Sequence, residues 1–106
     1  MLNAWSAAKS EGNMNRLLGF YAPDFQSYKK MPLSEWATVL QTESQALKGR
    51  PVHLKDKAYL RWTDSADTMV VTFGEVAEGA RTGPIKRQYW TRRGQQWQIF
   101  FEGVIG

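Results

Sequence analysis

The chain has 106 residues, a formal net charge of +4, one histidine and no cysteine. A chain of this length is typical of one domain that buries roughly two thirds of its unfolded surface without a disulfide or a metal. The absence of cysteine excludes thiolate metal sites, and a single histidine excludes a site built from several imidazoles. We therefore expect a single domain over residues 1–106 that holds no metal and no cofactor.

Basic residues such as Lys29, Lys30, Arg92 and Arg93 are spread along the chain with acidic residues among them. This pattern is typical of solvated strand edges and loop tips, so we do not expect nucleic-acid binding. No apolar run reaches the roughly 20 residues of a membrane span. The first residues lack the basic and apolar regions of a signal peptide. The helical pattern starts at the first residues of the chain, and the last predicted strand lies at its C-terminal end. We therefore expect a domain that was trimmed from a longer protein.

The N-terminal part of the chain predicts two consecutive helices. Apolar residues recur at helical spacing over residues 2–11, and Gly12 interrupts that pattern. Asn13 is placed to cap a second amphipathic helix, which Pro23 ends because the residue before a proline avoids the α region. The apolar faces of these helices are formed by Leu2, Trp5, Ala8, Met14, Leu17, Leu18 and Tyr21.

A short extended segment at residues 24–28 precedes a third predicted helix at residues 33–47. Ser34 is a candidate cap for that helix, and Lys48-Gly49 has the basic last turn and following glycine of a helix end.

From Val52 onward the apolar period is two, which predicts four long strands joined by hairpins. The strand at residues 68–77 is apolar on both faces and therefore central, with Gly74 as a candidate bulge. Residues 63–67 form a turn cluster. The last two strands, residues 85–92 and 96–102, flank the turn Arg93-Gly94-Gln95.

Strict alternation assigns each strand residue to a face of the sheet. In the first long strand it places Val52, Leu54, Ala58, Leu60 and Trp62 together. In the last strand it places Trp97, Ile99 and Phe101 on one face and Phe100 and Glu102 on the other. We therefore expect Trp97 to be heavily buried between the sheet and the helices.

Helices that gather on one face of an antiparallel sheet define the α+β class. We predict three N-terminal helices packed on a strongly bent antiparallel sheet of four long strands. Such a sheet has the shape of a cone, and a cone that is open at one end holds a pocket.

Three sequence segments of this chain resemble segments typical of the nuclear transport factor 2-like superfamily, including its SnoaL-like members. They are the YAPDF stretch that ends at Phe25, the Ser34-Glu35-Trp36 start of the third helix, and the closing W-x-I-x-x-E strand from Trp97 to Glu102. Within that superfamily the chain is most similar to the C-terminal accessory domain of L,D-transpeptidase-type cell-envelope proteins. The resemblance implies a periplasmic or envelope location if the chain belongs to such a protein, and a cytoplasmic location otherwise.

The resemblance also implies three catalytic candidates, because catalytic members pair a carboxylate with a tyrosine, or an aspartate with a histidine, inside the cone. Glu102 in such a site would have a raised pKa suited to acid–base work, and the Tyr21 hydroxyl could donate to an oxyanion. Asp24 is the third candidate. The structural alternatives are a glutamate held by Arg87 or by a tyrosine or tryptophan of the helices, a core tyrosine, and an aspartate that caps the turn after Pro23.

Four other residues are candidates for a ligand-binding site. Trp36, Tyr89 and Trp90 could line a pocket, although aromatic residues at such spacing are usually part of a core. His53 begins a basic strand and has no orienting carboxylate in the sequence, so an edge position is the structural alternative.

Three functions remain open from the sequence. We favour a non-catalytic accessory domain that binds a small ligand, a peptidoglycan-type fragment or a partner domain. The alternative is a small-molecule isomerase, cyclase or dehydratase that uses Glu102 with Tyr21 or Asp24. A third possibility is a dimerisation module, since exposed aromatics at Tyr59, Tyr89 or Trp90 would predict a homodimer through the sheet.

Overall fold

The computed structural model describes residues 1–61 and 67–106. The described residues form three helices and five strands, which confirms the predicted α+β class with its helices packed on one sheet. The helices are α1 (Leu2–Glu11), α2 (Met14–Gly19) and α3 (Leu33–Leu47). The strands are β1 (Tyr21–Ser27), β2 (Val52–Arg61), β3 (Thr68–Ala77), β4 (Ile85–Arg93) and β5 (Gln96–Val104). The predicted face position of Trp62 and the turn cluster up to residue 66 lie outside the described residues.

The sheet has five strands in the order β1-β5-β4-β3-β2, one more than the four long strands predicted. The additional strand is β1, which pairs in parallel with β5 and sets Ser27 opposite Glu102. The segment predicted at residues 24–28 is part of it. The second helix ends at Gly19 rather than near Pro23, because the backbone beyond it bonds to β5: the Ile99 N–H donates to the Phe20 carbonyl at 2.7 Å. Tyr21 therefore begins a strand and does not end a helix.

The helix ends agree with two of the three predicted caps. Asn13 caps α2, since its side chain accepts a hydrogen bond from the Arg16 N–H at 3.2 Å. Lys48 and Gly49 end α3 in the left-handed region, at φ of 53° and 76°. The predicted cap at Ser34 is wrong, because α3 begins directly after Pro32 and no side chain caps it.

Three of the described strand pairs shift in register: β1 against β5 between Tyr21 and Gln26, and β2 and β5 at the two bulges that follow. In β2 the register shifts between Lys55 and Ala58, and Asp56 in that interval has a positive φ of 52°. In β5 the shift falls at Phe100, since Trp90 faces Ile99 while Tyr89 faces Phe101. Each bulge adds one residue and so moves the following side chains to the other face.

The bulges overturn the face assignments that strict alternation gives. In β2, Leu54 faces Glu75 on the helix side, whereas Leu60 faces Val70 on the outer side. The predicted common face of these residues is therefore wrong. The bulge predicted at Gly74 is also wrong, since β3 pairs through that residue with β4 without a shift.

The core lies between the helices and the inner face of the sheet. Trp5, Trp36 and Phe73 fill the centre of the cone and are almost completely buried. Trp97 packs against this core and is only partly buried, and the Arg92 guanidinium lies over its ring. The expectation that Trp97 is heavily buried is therefore wrong. None of the helices described is long and apolar enough to cross a membrane. The buried residues that form this core cluster are Leu2, Trp5, Ala8, Leu17, Tyr21, Phe25, Trp36, Leu40, Val71, Phe73, Trp90 and Ile99.

Candidate functional site

Glu102 lies at the centre of the inner sheet face and is 0% exposed. Its Oε1 accepts a hydrogen bond from the Tyr21 hydroxyl at 2.6 Å and another from Gln88 Nε2 at 2.9 Å. Both donors are neutral side chains, so the two hydrogen bonds to this carboxylate bring no positive charge into contact with it.

Two tryptophans extend these contacts. The Trp5 Nε1–H donates to the Tyr21 hydroxyl oxygen at 3.1 Å, and the Trp90 Nε1–H donates to Gln88 Oε1 at 2.9 Å. We call these residues, Trp5, Tyr21, Gln88, Trp90 and Glu102, the carboxylate network. Each hydrogen bond in the network is donated toward Glu102, from Trp5 through Tyr21 and from Trp90 through Gln88. The five side chains therefore fix one another's orientation.

Local backbone structure brings Glu102 to this position. The bulge at Phe100 turns Glu102 to the helix side, directly opposite Gln88 on β4. The Glu102 carbonyl accepts from the Tyr28 N–H at 3.0 Å, which fixes the end of β1 beside it. Gly103 makes this approach possible, because a Cβ there would lie 2.9 Å from the Tyr28 Cβ.

The network keeps its tyrosine protonated. Burial raises the pKa of Tyr21 well above its ordinary value, and the neighbouring Glu102 charge raises it further. The hydroxyl therefore acts as a donor to the carboxylate. Among the described residues, Glu102 Oε2 and Trp36 Nε1 are buried without a hydrogen-bond partner.

A second buried polar group joins four elements of the fold. The Lys9 ammonium on α1 contacts Glu43 of α3 at 2.6 Å and Glu75 of β3 at 3.0 Å. The Lys86 ammonium on β4 contacts the same two carboxylates, each at 2.8 Å. We call Lys9, Glu43, Glu75 and Lys86 the ion cluster.

Opposite charges offset the cost of burial in the ion cluster. Burial alone would raise the pKa of Glu43 and of Glu75, but the Lys9 and Lys86 ammoniums outweigh it and lower both values. Burial likewise disfavours the charged Lys86, yet the Glu102, Glu75 and Glu43 charges raise its pKa above the ordinary value. Glu43, Glu75 and Lys86 are therefore ionised near neutral pH.

The structure brings together two of the three catalytic candidates. Tyr21 and Glu102 are in direct contact at 2.6 Å. Asp24 is exposed at the other side of β1, where Arg93 Nη2 donates to its Oδ2 at 2.9 Å. That hydrogen bond lowers the pKa of Asp24 below its ordinary value.

The four binding candidates do not converge on one site. Trp36 and Trp90 are buried in the core, and Trp90 belongs to the carboxylate network. His53 is exposed near the start of β2, and Tyr89 lies half-buried on the outer face of the sheet.

Some of these candidate residues line two grooves on the surface. One, of about 510 Å³, lies between α1 and the start of β2, and His53 is among its lining residues. The other, of about 500 Å³, lies on the outer sheet face and is lined by Tyr59, Leu60 and Tyr89, among others. Among the residues described, no three His, Asp or Glu side chains gather as metal ligands.

Sequence reasoning missed Trp5, Gln88 and the whole ion cluster as site residues. A signal for Lys9 exists, because it lies four residues after Trp5 and so shares the buried face of α1. Lys86 and Gln88 alternate with Trp90 on β4, which places all three on one face. No local pattern, however, shows that the two lysines share partners on α3 and β3.

The α+β fold with its inward carboxylate defines a domain of the NTF2-like class. Over residues 1–103 the chain matches the family described as the Cds6 C-terminal NTF2-like domain, and it belongs to that family. This confirms the resemblance to the nuclear transport factor 2-like superfamily. No curated protein matches the chain.

Solved structures with the same fold share little sequence with this chain. Bd1075 from Bdellovibrio bacteriovorus matches with a TM-score of 0.76 and 15% identity over 97% of this chain. Pgp2 from Campylobacter jejuni, described as a helical cell shape determining protein, matches with a TM-score of 0.76 and 17% identity over 95% of it. The chain spans only 37% of the length of each. An NTF2-like protein of unknown function from Pseudomonas putida matches with a TM-score of 0.71 and 14% identity, over 97% of this chain and 79% of its own.

Proposed function

We propose that the chain is a non-catalytic accessory domain that binds cell-envelope material of the peptidoglycan type. The observation that carries this proposal is the filled cone. Glu102 is 0% exposed, and its two hydrogen-bond donors, Tyr21 and Gln88, are themselves buried. A general base must reach the proton that it abstracts, and a substrate has no access to this carboxylate.

The similarity to larger proteins supports an accessory role. The chain corresponds to 37% of Pgp2, which is described as determining helical cell shape. A domain of that size beside other domains is suited to positioning a larger protein on its substrate. The chain's net charge of +4 favours acidic polymers of the envelope over neutral ones.

Cosedimentation with purified peptidoglycan sacculi tests this proposal. We expect the folded chain to pellet with sacculi in a saturable manner and to remain in the supernatant with chitin, an uncharged polysaccharide. Equal amounts in both pellets, or none in either, would contradict the proposal.

The isomerase, cyclase or dehydratase alternative is favoured by one contact, the 2.6 Å hydrogen bond between Tyr21 and Glu102. A carboxylate and a tyrosine in contact are the pair that such reactions use. In this fold, however, the Tyr21 hydroxyl already uses its proton in a hydrogen bond to the carboxylate, and both groups are buried. We therefore give the pair a structural role.

We also infer that the domain forms a homodimer through the outer face of the sheet. A row of apolar side chains crosses four strands there, since Leu60 faces Val70, Val70 faces Tyr89 and Tyr89 faces Phe101. Leu60 is 67% exposed at the end of this row, on the edge strand β2. A second copy related by a two-fold axis would cover the row with the same surface.

Sedimentation equilibrium of Leu60→Glu beside the wild type tests the dimer. We expect the wild type to dimerise and Leu60→Glu to be monomeric, whereas Ile105→Glu, a matched change at another exposed apolar residue, keeps the wild-type state. A wild type that stays monomeric up to high micromolar concentration would overturn the inference.

A further inference from the structure

The groove between α1 and β2 exists because one face of α1 carries small side chains. Asn3, Ser6, Ala7 and Ser10 follow one another at helical spacing along that face, and Val52 and Leu54 form part of the opposite wall. The groove measures about 510 Å³, within the range that small-ligand sites occupy.

Ser6 places a hydroxyl in the α1 wall of this groove. The residue is 6% exposed and lines the groove, yet its hydroxyl has no hydrogen-bond partner among the described residues. The other two buried serines are bonded: Ser44 donates to the Lys9 carbonyl, and Ser27 accepts from two backbone N–H groups at 3.1 Å each. The Ser6 oxygen is not one of the fully buried atoms that lack a partner, so it is open to solvent in the groove and available to a polar ligand.

The bulge in β2 adds a cation to the same groove. Asp56 at its positive φ of 52° shifts the alternation, and Lys57 thereby lines the groove on the helix side. Lys57 has no ion pair among the described residues. Lys55, before the bulge, faces Gly74 on the outer side instead.

The carboxylate of Glu11 and the imidazole of His53 also line the groove. The Glu11 carboxylate also forms a long ion pair with Arg16, with 3.9 Å between Oε2 and Nη1. The cationic part of the groove is therefore the end at Lys57, and the hydroxyl and amide groups of α1 face it from the other wall.

From this arrangement we propose that the groove binds a saccharide that carries a carboxylate. Lys57 pairs with the carboxylate, Ser6, Asn3 and Ser10 exchange hydrogen bonds with ring substituents, and Ala7, Val52 and Leu54 cover the apolar face of the ring. The proposal rests on the proposed function and names the site and the ligand class for it.

An NMR titration with N-acetylmuramic acid tests the proposal, with N-acetylglucosamine as the same sugar without the carboxylate. We expect saturable shifts of the amide signals of Asn3, Ser6, Ser10 and Lys57 with the acidic sugar. The neutral sugar should bind about tenfold more weakly, because it lacks a charge-assisted hydrogen bond.

Two matched lysine variants locate the site. Lys57→Met should weaken binding of N-acetylmuramic acid about tenfold, and Lys55→Met should stay within about twofold of the wild type. Both lysines are exposed, so neither change should affect folding. Equal effects of the two variants, equal binding of the two sugars, or no saturable binding of the acidic sugar would overturn the proposal.

Cosedimentation separates this proposal from the one on which it rests. If Lys57→Met pellets with sacculi as the wild type does, the groove is not the site and the accessory function stands. If the wild type itself does not pellet with sacculi, the accessory function fails.

Discussion

Glu102 and Glu75 are both buried on the inner face of one sheet, but their surroundings differ. Glu102 accepts hydrogen bonds from the neutral side chains of Tyr21 and Gln88, whereas Glu75 contacts the ammoniums of Lys9 and Lys86. Loss of a neutral donor removes one hydrogen bond, but loss of an ammonium leaves a buried charge without its partner. The ion cluster is therefore more sensitive to the loss of one side chain than the carboxylate network, although the carboxylate network looks more like an active site.

The largest effect should come from Lys86→Met, which removes a cation from the ion cluster. The Glu43 and Glu75 carboxylates would then share the single ammonium of Lys9, so we expect a loss of about 3–5 kcal/mol in the free energy of unfolding. Urea denaturation followed by tryptophan fluorescence measures this change.

The double variant Lys86→Met/Glu75→Gln is the control, because it removes one charge of each sign. It should be more stable than Lys86→Met alone. A single variant within about 1 kcal/mol of the wild type would show that these charges are not desolvated as their burial implies.

Acid should weaken the ion cluster. The pKa values of Glu43 and Glu75 are lowered in the folded protein, so their stabilisation is complete above the ordinary value of 4.5 and is lost as the pH falls through the lowered values. The raised pKa of Lys86 has the opposite sign: its contribution is complete below 10.5 and is lost only as the pH rises beyond that value.

Melting temperatures of the wild type and Glu75→Gln between pH 7 and pH 3 test this dependence. The variant starts from a lower melting temperature and should lose less on acidification, since it has one fewer carboxylate with a lowered pKa. If the melting temperatures of the two proteins fall in parallel, Glu75 does not contribute to the loss of stability in acid.

A smaller effect is expected from Tyr21→Phe in the carboxylate network. The change removes the 2.6 Å donor to Glu102 and the acceptor of the Trp5 Nε1–H, so we expect a loss of about 1–3 kcal/mol in the free energy of unfolding. The matched change Tyr59→Phe at an exposed tyrosine should alter it by less than about 0.5 kcal/mol. Similar values for the two variants would mean that the buried hydroxyl adds nothing to stability.

The sequence predicts the elements of this fold better than the directions of its side chains. Helical spacing locates α1 and α3, and the period of two locates the four long strands, because both patterns are local. The bulges at Asp56 and Phe100 carry no local signature, and each one reverses the faces of the residues that follow. For that reason alternation alone could not show that Leu60 faces outward.

The candidate site was predictable only in part. Glu102 was expected to find a tyrosine or tryptophan donor or Arg87, and Tyr21 supplies that donor. The position of Tyr21 depends on the parallel pairing of β1 with β5, which joins distant parts of the chain. Gln88 and the two buried lysines have polar side chains that composition assigns to the surface, and only the tertiary fold shows their shared partners.

The central claim, that Glu102 has a structural and not a catalytic role, is tested most directly by Glu102→Gln with stability and binding measured on one preparation. The amide keeps an acceptor for Tyr21 but removes the charge that acts on Lys86, so we predict a loss of about 1 kcal/mol in the free energy of unfolding. Cosedimentation with sacculi should change by less than about twofold. If instead the variant keeps or gains stability while binding or a measurable turnover is abolished, Glu102 is a functional residue held at a cost in stability, and the isomerase-type function should replace the one proposed.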